Sequence, residues 1–140
     1  MNYKSAHEVK KILSSKDEWA FLDIRETAEY GGGHPFFVSH VPYSILEARI
    51  ALYVPCKKTK LILMDGGNGV SEKSAKHLED LGYSDVIILK WGTSAWKDAG
   101  YALYEGISAP SKSFGEVVEH ELGTVSITAE QLKARMDKGD

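Results

Sequence analysis

Sulfur chemistry has little to work with in this sequence: one cysteine, Cys56, stands among 140 residues. An internal disulfide is thereby excluded. Proline is scarce as well, with four residues in all, so few positions oppose regular structure. No run approaches the roughly 20 consecutive apolar residues of a membrane helix. The opening Met1-Asn2-Tyr3-Lys4-Ser5 has none of the apolar stretch of a signal peptide. Neither sign of charge dominates, because 17 basic and 20 acidic residues leave a formal net charge of −3. The one basic cluster, Lys57-Lys58-Thr59-Lys60, reads as a solvated strand entrance and not as a nucleic-acid patch. These gaps leave neither membrane nor nucleic acid as an expected partner, and a cytoplasmic address is the default expectation. What is present, 43% apolar and 26% charged residues, is the composition of a folded domain. A chain of this length buries roughly two-thirds of its unfolded surface.

Periodicity orders the chain. Ala6, Val9 and Leu13, with Ile12 beside them, have helical spacing, and Ser5 with Glu8 three residues later forms a capping-box signature. Residues 19–24 are a short apolar run ending in Asp23 and Arg25, the pattern of a buried strand. Residues 27–30 fit one helical turn before Gly31-Gly32-Gly33, and residues 35–42 are irregular or weakly extended. Residues 44–53 read as a helix with Ser44 as N-cap and Glu47 completing a second capping box. Residues 60–64 form an apolar strand, and Asp65-Gly66-Gly67-Asn68-Gly69 a glycine-rich turn. A helix is predicted over 71–81 with Gly82 as its C-cap, a strand over 85–89 and a last short helix over 92–99. Helix and strand alternate, so the expected architecture is an α/β domain with a mainly parallel sheet covered on both faces by helices. In such sheets ligands bind beyond the carboxyl ends of the strands. Asp23, Asp65 and residues 90–92 all fall there.

The character changes after residue 107. Residues 108–113 look like a linker, and residues 114–121 fit a short helix or an extended arm. Then Thr128-Ala129-Glu130-Gln131-Leu132-Lys133 echoes Ser5-Ala6-His7-Glu8-Val9-Lys10, with the same polarity at all six positions. Leu13 aligns with Met136 and Asp17 with Asp140. The expected division is a domain over 1–106, a linker or arm over 107–127, and over 128–140 the first helix of a second copy of the domain. A C-terminal helix that docks on a complete domain is the alternative.

Taken in order, Phe21-Leu22-Asp23-Ile24-Arg25-Glu26, Glu29-Tyr30, Gly33-His34, the strand, loop and helix around Asp65, Leu89, and Gly92 to Trp96 resemble a rhodanese-like domain. The resemblance covers residues 5–106. The tail Pro110-Ser111-Lys112-Ser113-Phe114-Gly115-Glu116 is similar to the junction after the first unit of bacterial tandem multi-rhodanese proteins. The resemblance implies a rhodanese-like three-layer fold and sulfur transfer without a cofactor. It makes further rhodanese repeats of the same polypeptide the natural partners, with a homo-oligomer also open.

In that family a cysteine ends the central strand, and backbone N–H groups of the following loop converge on its sulfur. Such a nest lowers the thiol pKa and steadies the persulfide. Here the loop reads Asp65-Gly66-Gly67-Asn68-Gly69-Val70-Ser71. Its length fits the family, but Asp65 stands at the nucleophile position. A thiolate can carry a second sulfur as a persulfide, and a carboxylate has no comparable stable adduct. Val70 also departs from active members, which often place an arginine there. Cys56 precedes the strand that Asp65 follows, so it should sit toward the other edge of the sheet.

The remaining residues have plainer readings. His34 and His40 are six apart, but no third ligand completes a metal pattern, so no metal is expected. The resemblance gives His34 a structural place at a turn and Asp23 a structural role near Arg25. The segment between His34 and Pro42 departs from the family pattern. Trp91 stands where glycine is common. Either it narrows the Asp65 pocket or it is a surface aromatic that anchors a contact. Three functions remain open: a non-catalytic module of a tandem sulfurtransferase, an enzyme (a divergent sulfurtransferase or an acyl-phosphate hydrolase using Asp65), and a small-anion sensor, which the charge of Asp65 opposes.

Overall fold

A computed structural model describes residues 1–123 and 125–139. Asp140, paired with Asp17 in the sequence echo, lies outside the described residues. The chain forms two compact units, Met1–Ala109 and Pro110–Asp140.

The first unit is built on five parallel strands: β1 (Asn2–Lys4), β2 (Trp19–Asp23), β3 (Ser39–His40), β4 (Lys60–Met64) and β5 (Val86–Leu89). Their order across the sheet is β1-β5-β4-β2-β3. Side chains alternate between the two faces of a strand, and this sorts the core into two layers. Leu22, Leu61, Leu63, Val86 and Ile88 point to one face with Ile50 and Leu78. These last two come from α3 (Leu46–Tyr53) and α4 (Val70–Asp80). Phe21, Ile62, Met64, Ile87 and Leu89 point to the other face with Val9, Tyr30 and Trp96. These come from α1 (Ala6–Leu13), α2 (Thr27–Gly31) and α5 (Gly92–Asp98). The central strand β4 is buried from Leu61 to Met64. Each such side chain contributes roughly 1.5–3 kcal/mol by leaving water. The expected three-layer α/β architecture is the one observed.

Two local expectations are corrected, and one strand lies outside them. Residues 44–53 do not start a helix at Ser44. Tyr43–Ile45 is a 3-10 turn, and α3 begins at Leu46. Ser44 N–H and Oγ instead donate to the Glu26 carboxylate at 3.2 and 3.0 Å, so the capping side chain is spent on a tertiary contact. The edge strand β1 was not expected, since three residues of mixed polarity carry no period. It is defined by pairing, with Tyr3 opposite Ile88. The linker-like residues 108–113 instead open a helix, α6 (Ala109–Leu122).

The second unit continues with α7 (Ala129–Lys138). Thr128 accepts from the Gln131 amide, and Gln131 answers to the Thr128 amide. The same reciprocal box, Ser5 with Glu8, opens α1.

Candidate functional site

The carboxyl ends of β2, β4 and β5 bring Asp23, Asp65 and Lys90 to one edge of the sheet. Asp65 follows β4 and opens the loop into α4. It is 3% exposed, and Asp23 is fully buried. The Asp65 carboxylate accepts from Gly67 N–H through Oδ1 and from Ser71 N–H through Oδ2, each at 2.8 Å. The second donor belongs to the first turn of α4, where backbone N–H groups lack helical partners and the dipole favours an anion. Gly69 precedes α4 with φ +82°, a conformation that glycine adopts freely. The loop therefore folds around a carboxylate that is part of the chain.

A second element closes over the loop from β5. The Asp65 carbonyl accepts from Thr93 N–H and Thr93 Oγ1, both at 3.0 Å. A Cβ on Gly92 would lie 2.1 Å from that carbonyl, so α5 can approach this closely only with glycine there. Trp91, one residue earlier, holds φ +65°, which is costly for a side chain of this size. Its indole is 68% exposed, with Lys90 Nζ 5.6 Å from the ring centroid.

Two cavities flank Asp65. One, of about 230 Å³, is lined by Arg25, Glu26, Glu29, Tyr43, Asn68 and Val70 among others. The other, of about 220 Å³, is lined by Tyr3, Gly67, Gly69, Glu72, Lys90 and Trp91 among others. Their cationic resource is limited. Arg25 is committed to Asp23 by a bidentate pair, Nε to Oδ1 at 2.9 Å and Nη2 to Oδ2 at 2.6 Å, and Nη2 also donates to the Gly33 carbonyl at 2.8 Å. Glu26, Glu29 and Glu72 add negative charge around the loop. At the first cavity the carboxylates of Asp65, Glu26 and Glu29 oppose an incoming anion, while at the second Lys90 offsets part of the charge of Asp65 and Glu72.

The residues singled out in the sequence fall as follows. Asp65, Gly66, Gly67, Asn68, Gly69, Val70 and Ser71 form the loop and the start of α4. Asp23 and Arg25 form the buried ion pair beside it. Trp91 borders the second cavity, its ring turned largely to solvent. His34 is apart from the loop and clamps backbone, as described below. Cys56 is exposed, in the turn that enters β4 at the end opposite Asp65. Hydrogen bonds from the Lys58 backbone amide, then from Thr59, draw its thiol below the usual range. Among the described residues no group of three histidine, cysteine or acidic side chains is placed to hold a metal ion.

In the sequence Glu29 stands out only as part of a motif, yet its carboxylate lies 3.6 Å from where a Gly66 Cβ would stand. Its position two residues into the short α2, next to Tyr30, was the available signal. Tyr3 and Glu72 were not foreseen. Tyr3 Oη donates to Glu72 at 3.2 Å, joining an edge strand and a helix that sequence spacing does not connect.

A family model, the rhodanese-like domain, matches residues 5–99. This chain belongs to the rhodanese-like domain family. Its structure is similar to that of a thiosulfate sulfurtransferase from Pseudomonas aeruginosa, with 38% identity and a TM-score of 0.92. That match covers 99% of this chain and 26% of the other, so this chain spans about a quarter of the Pseudomonas protein. The rhodanese-like domain of an Anabaena sp. protein is 24% identical with a TM-score of 0.67, covering 75% of this chain and 80% of that one. A rhodanese-like domain protein from Staphylococcus aureus is 21% identical with a TM-score of 0.65, covering 76% and 100%. These two likenesses concern the fold. No curated protein matches. Among the described residues no helix of this rhodanese-like chain is long and apolar enough to cross a membrane.

Proposed function

We propose that this chain is a non-catalytic rhodanese module, a scaffold or regulatory unit of a tandem sulfurtransferase that works in a cytoplasmic setting. The reading rests on Asp65, which stands where the family carries its persulfide cysteine. Its carboxylate is buried and held by the amides of Gly67 and Ser71. Oxygen does not take up a sulfane sulfur as a thiolate does. The same two hydrogen bonds count against Asp65 as a nucleophile for acyl-phosphate chemistry, because both oxygens are engaged and the group is withdrawn from solvent. The tandem context is supported by the matching capping boxes of α1 and α7. The Pseudomonas protein, in which this length is only 26% of the chain, supports it too. The proposed partners are further rhodanese repeats, with one domain over 1–106, a connector over 107–127 and the start of the next repeat from 128.

A thiosulfate:cyanide assay tests the proposal. The chain should give no thiocyanate above a buffer blank. Asp65→Ala should leave that result unchanged. Asp65→Cys should bind labelled sulfane sulfur, since the two amides that hold the carboxylate would face a thiolate instead. Thiocyanate turnover by the unmodified chain that persists in Cys56→Ser would overturn the proposal.

A further inference from the structure

His34 is fully buried, and both of its ring nitrogens face backbone carbonyls. Nδ1 lies 2.8 Å from the Pro35 oxygen, and Nε2 lies 2.9 Å from the Gly106 oxygen. A carbonyl only accepts hydrogen bonds. A neutral imidazole offers one N–H and one lone pair, whereas the protonated ring offers two N–H groups. The neutral ring therefore satisfies one of these contacts and sets its lone pair against the other oxygen. The protonated ring satisfies both. We infer that His34 is held as a buried imidazolium and acts as a proton-dependent clasp between the turn at residues 33–35 and the strap at residues 104–106.

The surroundings bear on this from each packed element. From α2, the Tyr30 ring stacks on the imidazole with centroids 3.9 Å apart and planes 7° off parallel, a face that favours a cation. From β3, His40 stacks on the other side of Tyr30 at 4.1 Å. Its Nε2 meets a single carbonyl, that of Arg25, at 3.0 Å, so a neutral ring is sufficient there. From the end of β2, the buried Asp23 carboxylate favours positive charge nearby, and its partner Arg25 opposes it. Burial and then Asp23 push the Tyr30 phenol up, so Tyr30 stays neutral as the stacking partner. The strap contributes carbonyls at the contact, and Glu105 on it is exposed. A buried charge is costly when its donors are unmet. Here both are met.

The clasp has a reach beyond itself. The strap is also tied by the paired backbone bonds of His34 with Tyr104, at 3.0 and 2.8 Å, and by Gly106 N–H to the Gly31 carbonyl at 2.8 Å. Gly33, next to His34, receives Arg25 Nη2, and Arg25 walls the cavity beside Asp65. When the second proton leaves to solvent, one ring contact is lost and the strap loosens. The contribution of the clasp to stability is present while the ring keeps that proton and disappears as pH rises.

The test uses the unmodified full chain labelled with 15N. Ring nitrogen signals of His34 are followed from about pH 5 to about pH 9, across the range where histidines change charge. The exposed His7 and His120 serve as internal references. At about pH 7, both His34 nitrogens should carry protons. Hydrogen exchange at the Gly106 amide, corrected for the intrinsic rise with pH, should accelerate at least tenfold as His34 loses its proton. His34→Gln, which cannot donate from both ends, should abolish that pH dependence. A lone-pair signature on either His34 nitrogen at about pH 7 would overturn the inference. So would a corrected Gly106 exchange rate that is flat with pH.

Discussion

Helices α1 and α7 start from the same instruction and end in different surroundings. Each opens with a hydroxyl N-cap answered three residues later by Glu8 or Gln131. Val9 and Leu132 hold the same place, offset by 123 residues in the sequence. Yet Val9 is 0% exposed and Leu132 is 49% exposed. Capping and spacing are local, so they specify that a helix forms and which stripe is apolar. Burial is a property of the sheet that receives the stripe. Val9 has Phe21, Ile62 and Leu89 in its cluster, while α7 buries none of its residues.

Paired substitutions can break this comparison. The largest effect belongs to Val9→Asp, which places an unpaired charge in the core and should cost about 4 kcal/mol or more. Leu132→Asp should change stability by no more than about 0.5 kcal/mol in this chain. Urea unfolding measures both. In a longer polypeptide that continues into a second repeat, Leu132→Asp should become as damaging as Val9→Asp, and equal tolerance there would contradict the repeat. A smaller contrast lies in the caps. Ser5→Ala should remove about 1 kcal/mol from the first unit. Thr128→Ala should reduce helical signal only in α7 and leave the main unfolding midpoint in place, as circular dichroism with residue-resolved NMR would show.

The mildest contrast is one of acid sensitivity. The Ser5 backbone amide, then the Ser5 hydroxyl and Lys4, hold the Glu8 carboxyl down at about 2. Its ordinary value is near 4.5. A lowered carboxyl supports the folded form above its unfolded pKa, and that support fades as pH falls toward the folded one. The α1 cap should therefore weaken between about pH 4.5 and about pH 2. The Gln131 box has no proton to gain and should persist. Amide shifts of Ser5 and Thr128 through an acid titration check this, and parallel shifts at both would remove the distinction.

Much of the fold was legible because its core strands are nearly pure apolar runs. Residues 60–64 and 86–89 leave no other reading once flanked by turn residues and helices. The family order of motifs also placed Asp65 at the mouth of the central strand. Long-range partners were not legible. Ser44 and Glu47 carry a valid capping signature, but Glu26, 18 residues earlier, takes the serine. β1 exists because β5 offers a free edge, and nothing in Asn2-Tyr3-Lys4 announces it. The resemblance gives His34 a place at a turn, and nothing in the spacing names the two carbonyls that face its ring. That Tyr30 sits between His34 and His40 could not be seen, since stacking follows from the approach of α2 to β3 and not from any spacing.

Gly92 and Thr93 close above all on the main chain of residue 65, with the Thr93 amide and hydroxyl both meeting its carbonyl. The Thr93 contacts therefore ask for no particular functional group at residue 65, whereas the Gly67 and Ser71 amides are met by the carboxylate it carries. Exchanging the side chain at this address should leave the closure by α5 in place and change only what the Gly67 and Ser71 amides hold.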